Sequence, residues 1–505
     1  MTAEATHRRR WAILGVLCLS LALTGIDVTI LTVAIPELIS QLGADAGDIQ
    51  WTIDAYSITF AGLVVAMGAI SDRYGRRRVL LIGLVVFGAT SGVAAFSHSP
   101  GQLIVARGLM GLAAAMILPG TLSILTVVFE PDERGRAIGI WAGVAGLGFI
   151  LGPPVGGLLL SYFWWGSVLL INVPVVLVTL VATRAIVPES RAPIGHPIDV
   201  GGALLSIIGL TALVYGFIEA PEVGWTDIEV ILSFALAAAT LTGFTFWELR
   251  MAEPMLDVRL FRLATFTVPA LVISISMFVL FGLEYLLPQY LQFVQDLQPA
   301  AVGLVLVPVS ITWSLAALVA DGIVRKVGER LVMSAALVVL AGGLVTSLLI
   351  STGPSIWIVV LGSSVAGVGM GLATTPATNL IVSSLPVSKA GVGSAINDVT
   401  REAGGAIGVA IIGSLLSMWY SAQLSSSVAD LPAGTAAEAS NNVGGALSVA
   451  EELGGPAGEQ LAAAAQSAFV SGYRFTVLAS SVVVAALALV TWIRLGRGRL
   501  AQPAL

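Results

Sequence analysis

Long apolar runs separated by short polar connections follow one another along the whole chain. A bilayer core about 30 Å thick is crossed by roughly twenty helical residues, and most of these runs have about that length. The pattern therefore predicts an all-α membrane protein with fourteen spanning helices. The predicted spans are 11–34, 51–69, 79–96, one from about 101, 137–160, 167–187, 200–219, 228–248, 264–287, 301–320, 331–350, 356–380, 392–418 and 475–493.

The second and third spans are joined by a short, strongly basic turn, 68–78. Four arginines in so short a turn cannot lie in hydrocarbon, and they favour the cytoplasmic side of a membrane. Every connection predicted to be internal contains Lys or Arg, and no external one does before Arg474. Basic residues also flank the first and last spans, at 7–10 and at Arg494, Arg497 and Arg499. The charges thus predict fourteen spans rather than thirteen, cytoplasmic termini and a multi-pass protein of the cell membrane.

The composition also indicates that almost all of the chain forms membrane spans. Hydrophobic residues make up 57% and charged residues 11% of the chain, whereas soluble proteins contain about 25% charged residues. Cys18 is the only cysteine and the three histidines are scattered, so neither an internal disulfide nor a metal site is predicted. The chain has no nucleophile–base set and no phosphate-binding Gly-Lys loop. The sequence predicts no enzyme activity, no cofactor, no use of ATP and no nucleic-acid partner.

Three charged residues are predicted at similar depth in the outer half of the first spans. Asp27 lies in span 1, Asp54 in span 2 and Arg107 in span 4. A low dielectric favours the protonated carboxylic acid, whereas a nearby Arg favours the carboxylate, and such a competition suits a proton carrier. The alternative is a permanent structural ion pair between Asp27 and Arg107.

Span 13 is polar at its cytoplasmic end, and span 9 contains one acid. Asp398 and Glu402 are four residues apart and share a helix face, with Arg401 between them and Asn397 before them. A substrate path and a set of locally paired charges are both compatible with this spacing. Glu284, near the outer end of span 9, faces either the cavity or the lipid headgroups.

Span 5 combines prolines and glycines in a short stretch. Proline bends a helix, and glycine lets another helix approach closely. Taken alone, the stretch indicates only a kinked, tightly packed helix. The residues concerned are Gly148, Gly152, Pro153, Gly156 and Gly157.

The segment 420–472 is rich in Ala, Ser and Gly and contains three acids. Its hydrophobicity is too interrupted for a membrane span. We expect a long, flexible external loop with one short surface helix.

Several of these stretches resemble motifs of the major facilitator superfamily. The basic turn is similar to the signature between its second and third helices, in Gly68, Asp72, Arg73, Gly75, Arg76 and Arg77. The span 5 stretch resembles the antiporter signature of its proton-coupled drug exporters. The stretch 26–36 and the pair Arg107 and Gly111 resemble motifs of its fourteen-helix drug:proton antiporters, although Met110 replaces a usual polar residue. Trp313 stands where some exporters of dicationic drugs have an acid.

The resemblance implies a major facilitator fold with two pseudo-symmetric six-helix halves and two inserted helices. The first half is then 1–187, the inserted pair with its loops 188–263, and the second half 264–505. A degraded copy of the basic turn follows Asp321 in the second half and receives no specific role. Span 5 is expected to be a pliable helix at the interface of the halves.

The resemblance also implies a function. The chain is expected to export lipophilic, cationic drugs or antibiotics in exchange for protons, as a monomer in the lipid bilayer, by alternating access. Two alternatives are an exporter of one endogenous product (an antibiotic, a siderophore or a lipid) and a non-transporting membrane sensor. The sequence names neither the substrate nor the proton stoichiometry.

Overall fold

The computed structural model describes residues 3–44, 46–192, 199–251, 254–429 and 431–496. Throughout these residues the regular secondary structure is helical. Helices of the first half are α1 Ala3–Ile30, α2 Ile35–Leu42, α3 Ala46–Tyr74, α4 Arg76–Ala94, α5 Pro100–Val128, α6 Pro131–Tyr162, α7 Ser167–Leu170 and α8 Asn172–Ile186. The inserted pair is α9 Val200–Val223 and α10 Ile228–Arg250.

The rest of the described chain forms eight further α-helices. They are α11 Ala264–Gln289, α12 Pro299–Val327, α13 Glu329–Ser347, α14 Ile356–Ser383, α15 Ala390–Leu424, α16 Ala433–Asn441, α17 Val443–Leu453 and α18 Gly455–Arg494. Among the described residues, fourteen helical stretches are long and apolar enough to cross a membrane, with α1 and α2 joined in one and α7 and α8 in another. The predicted all-α architecture with fourteen spans is confirmed. Arg497 and Arg499 lie outside the described residues.

The spans pack as two bundles with a hairpin between them. In the first half α3 and α4 pack against α5, and α1 packs against α6. In the second, α12 and α13 pack against α14, and α11 packs against α15. The inserted helix α9 contacts α3 of one half and α15 of the other, and α10 packs on its outer side.

Matching turns in the two halves support their internal symmetry. Gly75 has φ of 114° between α3 and α4, and Gly328 has φ of 85° between α12 and α13. Side chains with a Cβ rarely adopt these angles, so glycine allows the abrupt reversal from one span to the next. Both turns lie on the face of the bundle where α1 begins and α18 ends, which we call the terminal face.

The segment 420–472 differs from the predicted flexible loop. It contains the end of α15, then α16 and α17, and α18 begins at Gly455 rather than near 475. Tyr420 Oη donates to the carbonyl of Ala439 at 3.1 Å, and Val443 is buried. Alanine-rich sequence has high helix propensity at modest hydropathy, so a span criterion based on hydropathy missed these helices.

Candidate transport site between the two halves

A cavity lies at the centre of the molecule between the halves. Its wall combines helices α1, α3, α5 and α6 of the first half with α11 and α15 of the second. The aromatic part of the wall includes Tyr56, Phe60, Trp141 and Phe281. The cavity measures about 110 Å³, whereas sites for drug-sized ligands usually span about 300–1,000 Å³. A drug-sized molecule therefore needs the surrounding side chains or helices to move apart.

The charged part of the cavity wall comes from α15. Asp398, Arg401 and Glu402 all line it, and Asp398 Oδ2 has no hydrogen-bond partner. In the described part of the chain, Arg401 forms no ion pair within 4.0 Å with either acid. The spacing predicted that the two acids share a face, and the structure places that face toward the cavity. When both acids are ionised, two carboxylates and one guanidinium leave the cavity wall with one negative charge in excess.

Asn397 and Glu284 occupy different positions around this cavity. Asn397 is fully buried behind the wall, where it accepts a hydrogen bond from Thr378 Oγ1 at 3.0 Å. Met277 and Phe281 of α11 line the cavity, and Glu284 follows Phe281 by three residues on the same helix face. Glu284 is exposed in the structure. It therefore lies one turn beyond the cavity, on the side away from the terminal face.

A buried ion pair lies in the first half behind the cavity. Arg107 Nη1 donates to Asp27 Oδ2 at 2.6 Å, and both side chains are almost completely buried. Arg107 Nε donates to the carbonyl of Thr52, and its guanidinium lies 4.6 Å from the centre of the Tyr56 ring. Because Tyr56 also lines the cavity, one aromatic ring connects the ion pair with the space between the halves.

The second oxygen of Asp27 has a partner that the sequence did not reveal. Asn172 Nδ2 donates to Asp27 Oδ1 at 2.7 Å and also contacts Ser91 Oγ at 3.0 Å. Asn172 lies inside the predicted span 167–187, and its position in the sequence does not indicate which helix it faces. Asp54 is buried on α3, three residues before Ser57 of the cavity wall.

The basic turn joins the halves at the terminal face. Asp72 accepts the backbone N–H groups of Gly391 and Val392 at 2.8 and 3.1 Å, and Arg76 holds the same carboxylate at 2.6 Å. The carboxylate thus lies at the N-terminus of α15, where the helix dipole favours negative charge. Arg76 Nη2 also donates to the carbonyl of Val387 at 2.7 Å.

The other residues of the turn have separate roles in the packing. A Cβ on Gly68 would lie 2.6 Å from the Gly391 carbonyl oxygen, so glycine permits the close approach of α3 and α15. Arg77 lies 3.7 Å from Glu189, within the first half. Arg73 is exposed, with its guanidinium 5.8 Å from the Tyr74 ring centre.

The second half makes a related contact near the start of α6. Asp321 and Arg325 form an ion pair at 2.6 Å, and Arg325 Nη2 donates to the carbonyl of Asp132 at 2.5 Å. The Asp321 carboxylate lies against Gly135, which has no room for a Cβ. The degraded copy of the basic turn, for which no role was predicted, is a second contact between the halves at the terminal face.

Helix α6, which contains span 5, packs on α12 at the interface of the halves, but the glycines of its motif do not face that interface. Gly152 and Gly156 pack against Thr29 and Ile30 of α1, within the first half, and Gly148 contacts Ala22 of the same helix. Pro153 lies inside α6, and Gly157 faces open space. The interface with α12 is formed instead by the N-terminal part of α6, through Gly139, Gly143 and Gly146. Trp313 of α12 is buried against Gly146 and outside the cavity wall.

Two helical halves with a charged cavity between them define a secondary membrane transporter. The chain belongs to the Major Facilitator Superfamily, whose model matches residues 17–409. Members of this family are transporters and not enzymes, and the chain is a multi-pass membrane protein.

Curated relatives match over most of the chain. The chain is 36% identical over 497 residues to the multidrug efflux pump LfrA of Mycolicibacterium smegmatis, covering 96% of each. It is 34% identical to the methyl viologen resistance protein SmvA of Salmonella typhimurium, with 97% of this chain and 99% of the relative covered. It is 32% identical to the puromycin resistance protein pur8 of Streptomyces alboniger over 80% and 81% of the two chains.

Solved structures share the fold at low sequence identity. The human organic anion transporter MFSD10 matches with a TM-score of 0.62 and 17% identity, over 95% of this chain and 99% of that one. A bacterial homologue of the human lysosomal transporter Spinster matches with a TM-score of 0.59 and 17% identity, over 96% and 97% of the two chains. Both similarities support the major facilitator architecture.

Proposed function

We propose that this protein exports lipophilic, cationic drugs or antibiotics from the cytoplasm across the cell membrane, in exchange for protons. The observation that carries the proposal is the central cavity, in which aromatic rings surround an excess of carboxylates. Aromatic faces and carboxylates together favour an apolar cation. The names of relatives such as LfrA and SmvA, which denote efflux of several drugs and resistance to methyl viologen, support the same class of substrate.

Proton coupling is assigned to Asp27, which forms a buried ion pair with Arg107 behind the cavity. Asp27 can be neutralised by a proton or stabilised as a carboxylate by Arg107, and these two states compete. Tyr56 lies between the guanidinium and the cavity, so a substrate that displaces the ring also disturbs the ion pair. Asp54 lies on the same helix as Tyr56, between the cavity and the face opposite the terminal face. It serves as the second acid of the proton pathway.

Alternating access follows from the contacts at the terminal face. With both termini in the cytoplasm, the contacts made by Asp72 and Asp321 close the cytoplasmic side in this conformation. Release of these contacts opens the cavity inward, where it takes up the substrate and gives up a proton. The driving force is the proton gradient, in which the membrane potential contributes about 2.3 kcal/mol per charge per 100 mV. The protein acts as a monomer, because each chain contains a complete cavity.

The names of other relatives favour a second candidate. The puromycin resistance protein and a tetracenomycin C resistance and export protein are each named for a single antibiotic. An exporter of one endogenous antibiotic would use the same cavity and the same coupling, and would differ only in the range of its substrates.

Efflux from cells tests both candidates. Cells producing the protein are loaded with a panel of fluorescent cations and antibiotics, and efflux is measured with and without a protonophore. Efflux of several unrelated compounds that stops with the protonophore supports the multidrug antiporter. Efflux of one compound alone favours the dedicated exporter, and efflux that the protonophore leaves unchanged contradicts proton coupling.

A further inference from the structure

The inserted hairpin contains two buried carboxylates at its terminal-face end. Asp199 precedes α9 and Glu248 is in the last turn of α10; their exposed fractions are 7% and 2%. A Cβ added to Gly202 would lie 2.5 Å from Asp199 Oδ2 and 2.8 Å from Glu248 Oε1. The two oxygens therefore converge on one small space that the absent side chain of Gly202 leaves open.

Asp199 cannot turn away from this space. Its Oδ1 atom accepts two hydrogen bonds at 2.8 Å, from the backbone N–H of Gly202 and from the indole Nε1 of Trp247. These two donors fix the plane of the carboxylate. Asp199 Oδ2 is thereby directed toward Glu248, and it has no hydrogen-bond partner.

Both oxygens of Glu248 also lack hydrogen-bond partners although the side chain is almost fully buried. The backbone N–H groups of Met255 and Leu256 lie near the carboxylate and favour its ionised form, but neither makes a hydrogen bond of normal geometry with it. Lys389 contributes a positive field, but its Nζ donates to the Pro254 carbonyl at 2.8 Å. Among the described residues, the charged groups that act on Glu248 are thus Asp199 and Lys389.

We propose that Asp199 and Glu248 bind one proton between them. Two carboxylates converging in a buried space cannot both stay ionised without a large repulsion, and one proton removes a charge and supplies the missing donor. The proton comes from the solution at the terminal face, and one carboxyl group then donates to the other. The pair takes no part in the transport pathway described above, so the inference does not depend on proton-coupled export.

The carboxylate pair lies close to a contact between the two halves, so binding of the proton affects the structure there. Segment 254–256 covers Glu248, and Lys389, which contacts this segment, directly precedes α15. The N-terminus of α15 is where Asp72 joins the halves. A protonated pair therefore holds the inserted hairpin against the segment next to this contact, and loss of the proton loosens it.

Thermal unfolding of the purified full-length protein in detergent, at a series of pH values, tests the proposal. In the unfolded chain both carboxyl groups are ionised at neutral pH, whereas the folded state keeps one proton. Stability is then lost as the pH rises, since the folded state binds more protons than the unfolded state. The wild-type Tm is expected to fall with rising pH more steeply than that of Glu248→Gln, whose amide imitates the protonated acid. Asp199→Asn should flatten the profile in the same way.

The control is Glu229→Gln, an exposed acid on the same helix α10, which should keep the wild-type profile. A wild-type slope in Glu248→Gln would overturn the proposal. If that variant does not fold, Asp199→Asn decides, and a wild-type slope there overturns the proposal equally. Stabilisation that follows the concentration of sodium or magnesium at fixed pH, and is absent in Glu248→Gln, would assign the site to a metal ion instead of a proton.

Discussion

Asp72 of the first half and Gly391 of the second are joined by a hydrogen bond of 2.8 Å from the backbone N–H to the carboxylate. The bond places a negative charge on the N-terminus of α15, the helix that supplies every charged residue of the cavity wall. One contact at the terminal face thus bears directly on the position of the substrate-binding groups. In the second half, Asp321 of α12 pairs with Arg325 and lies against Gly135 near the start of α6, so a second carboxylate contacts the opposite half at the same face.

Asp72→Asn is expected to open the terminal face. The variant keeps an acceptor for one N–H but loses the charge at the helix N-terminus, which costs about 1–2 kcal/mol and changes the ratio of closed to open molecules about tenfold. Spin labels on the exposed residues Arg78 and Lys326, with Cys18 replaced, measure the separation of the halves there. Asp257→Asn, an acid that caps its own turn, is the control. An unchanged distance distribution would refute this role of Asp72.

Gly152→Ala should impair both stability and transport. A Cβ at this position meets Thr29 and Ile30 of α1, and overpacking of this kind typically costs about 1–3 kcal/mol. Gly157→Ala is a matched control five residues later on the same helix, where a Cβ meets open space. Thermal unfolding and efflux should separate the two variants. Equal behaviour would mean that the close approach of α1 and α6 is not what the glycines provide.

Glu402→Gln should weaken the binding of cationic substrates and leave neutral ones unaffected. Removing one of the two acids eliminates the excess negative charge of the cavity, and we expect a loss in affinity of about tenfold, or about 1.4 kcal/mol. Binding to the purified protein measures it, with the exposed acid Glu452→Gln as control. Equal losses for cationic and neutral compounds would point to a structural role of Glu402.

Arg107→Ala should change the pH dependence of transport. Without the guanidinium at 2.6 Å, the carboxylate of Asp27 loses its ion-pair partner, so the competition between arginine and proton at this acid is removed. Initial rates of efflux across a pH series check this. A pH profile identical to that of the wild type would show that Arg107 has no influence on the group that titrates during transport.

Asp27→Asn should abolish proton-driven efflux while the protein is still produced and folded. The amide still accepts a hydrogen bond from Arg107 through its oxygen, but it can no longer exchange a proton. Substrate exchange down a substrate gradient should survive, which distinguishes loss of coupling from loss of the site. Full proton-driven efflux by this variant would exclude Asp27 as the proton carrier.

Much of the architecture could be predicted because it depends on local properties of the sequence. Span length follows from hydropathy. The number of spans follows from the distribution of arginines, because basic connections lie on the cytoplasmic side. The depth of Asp27 and Arg107 follows from the helical rise, and the structure joins them in an ion pair. The spacing of Asp398 and Glu402 likewise predicted a shared face, although it could not predict that this face lines the cavity.

Contacts between segments that are far apart in the chain could not be predicted from the sequence. Asn172 completes the hydrogen bonds of Asp27 from a helix far along the chain, and no periodicity relates the two. The glycines of α6 indicate that another helix packs closely, but they do not indicate which one. Gly152 packs against α1 of the same half and not against a helix of the other half. The length of α18 was underestimated because helix propensity, not hydropathy, extends it back to Gly455.

Proton movement caused by substrate tests the central claim most directly. The purified protein is placed in lipid vesicles with an acidic interior and a trapped pH indicator, and a lipophilic cation is added outside. We predict that the cation enters as protons leave, so that the interior becomes alkaline, and that Asp27→Asn abolishes this response. Uptake of the cation with no change in internal pH, or an unchanged response in Asp27→Asn, would contradict the account.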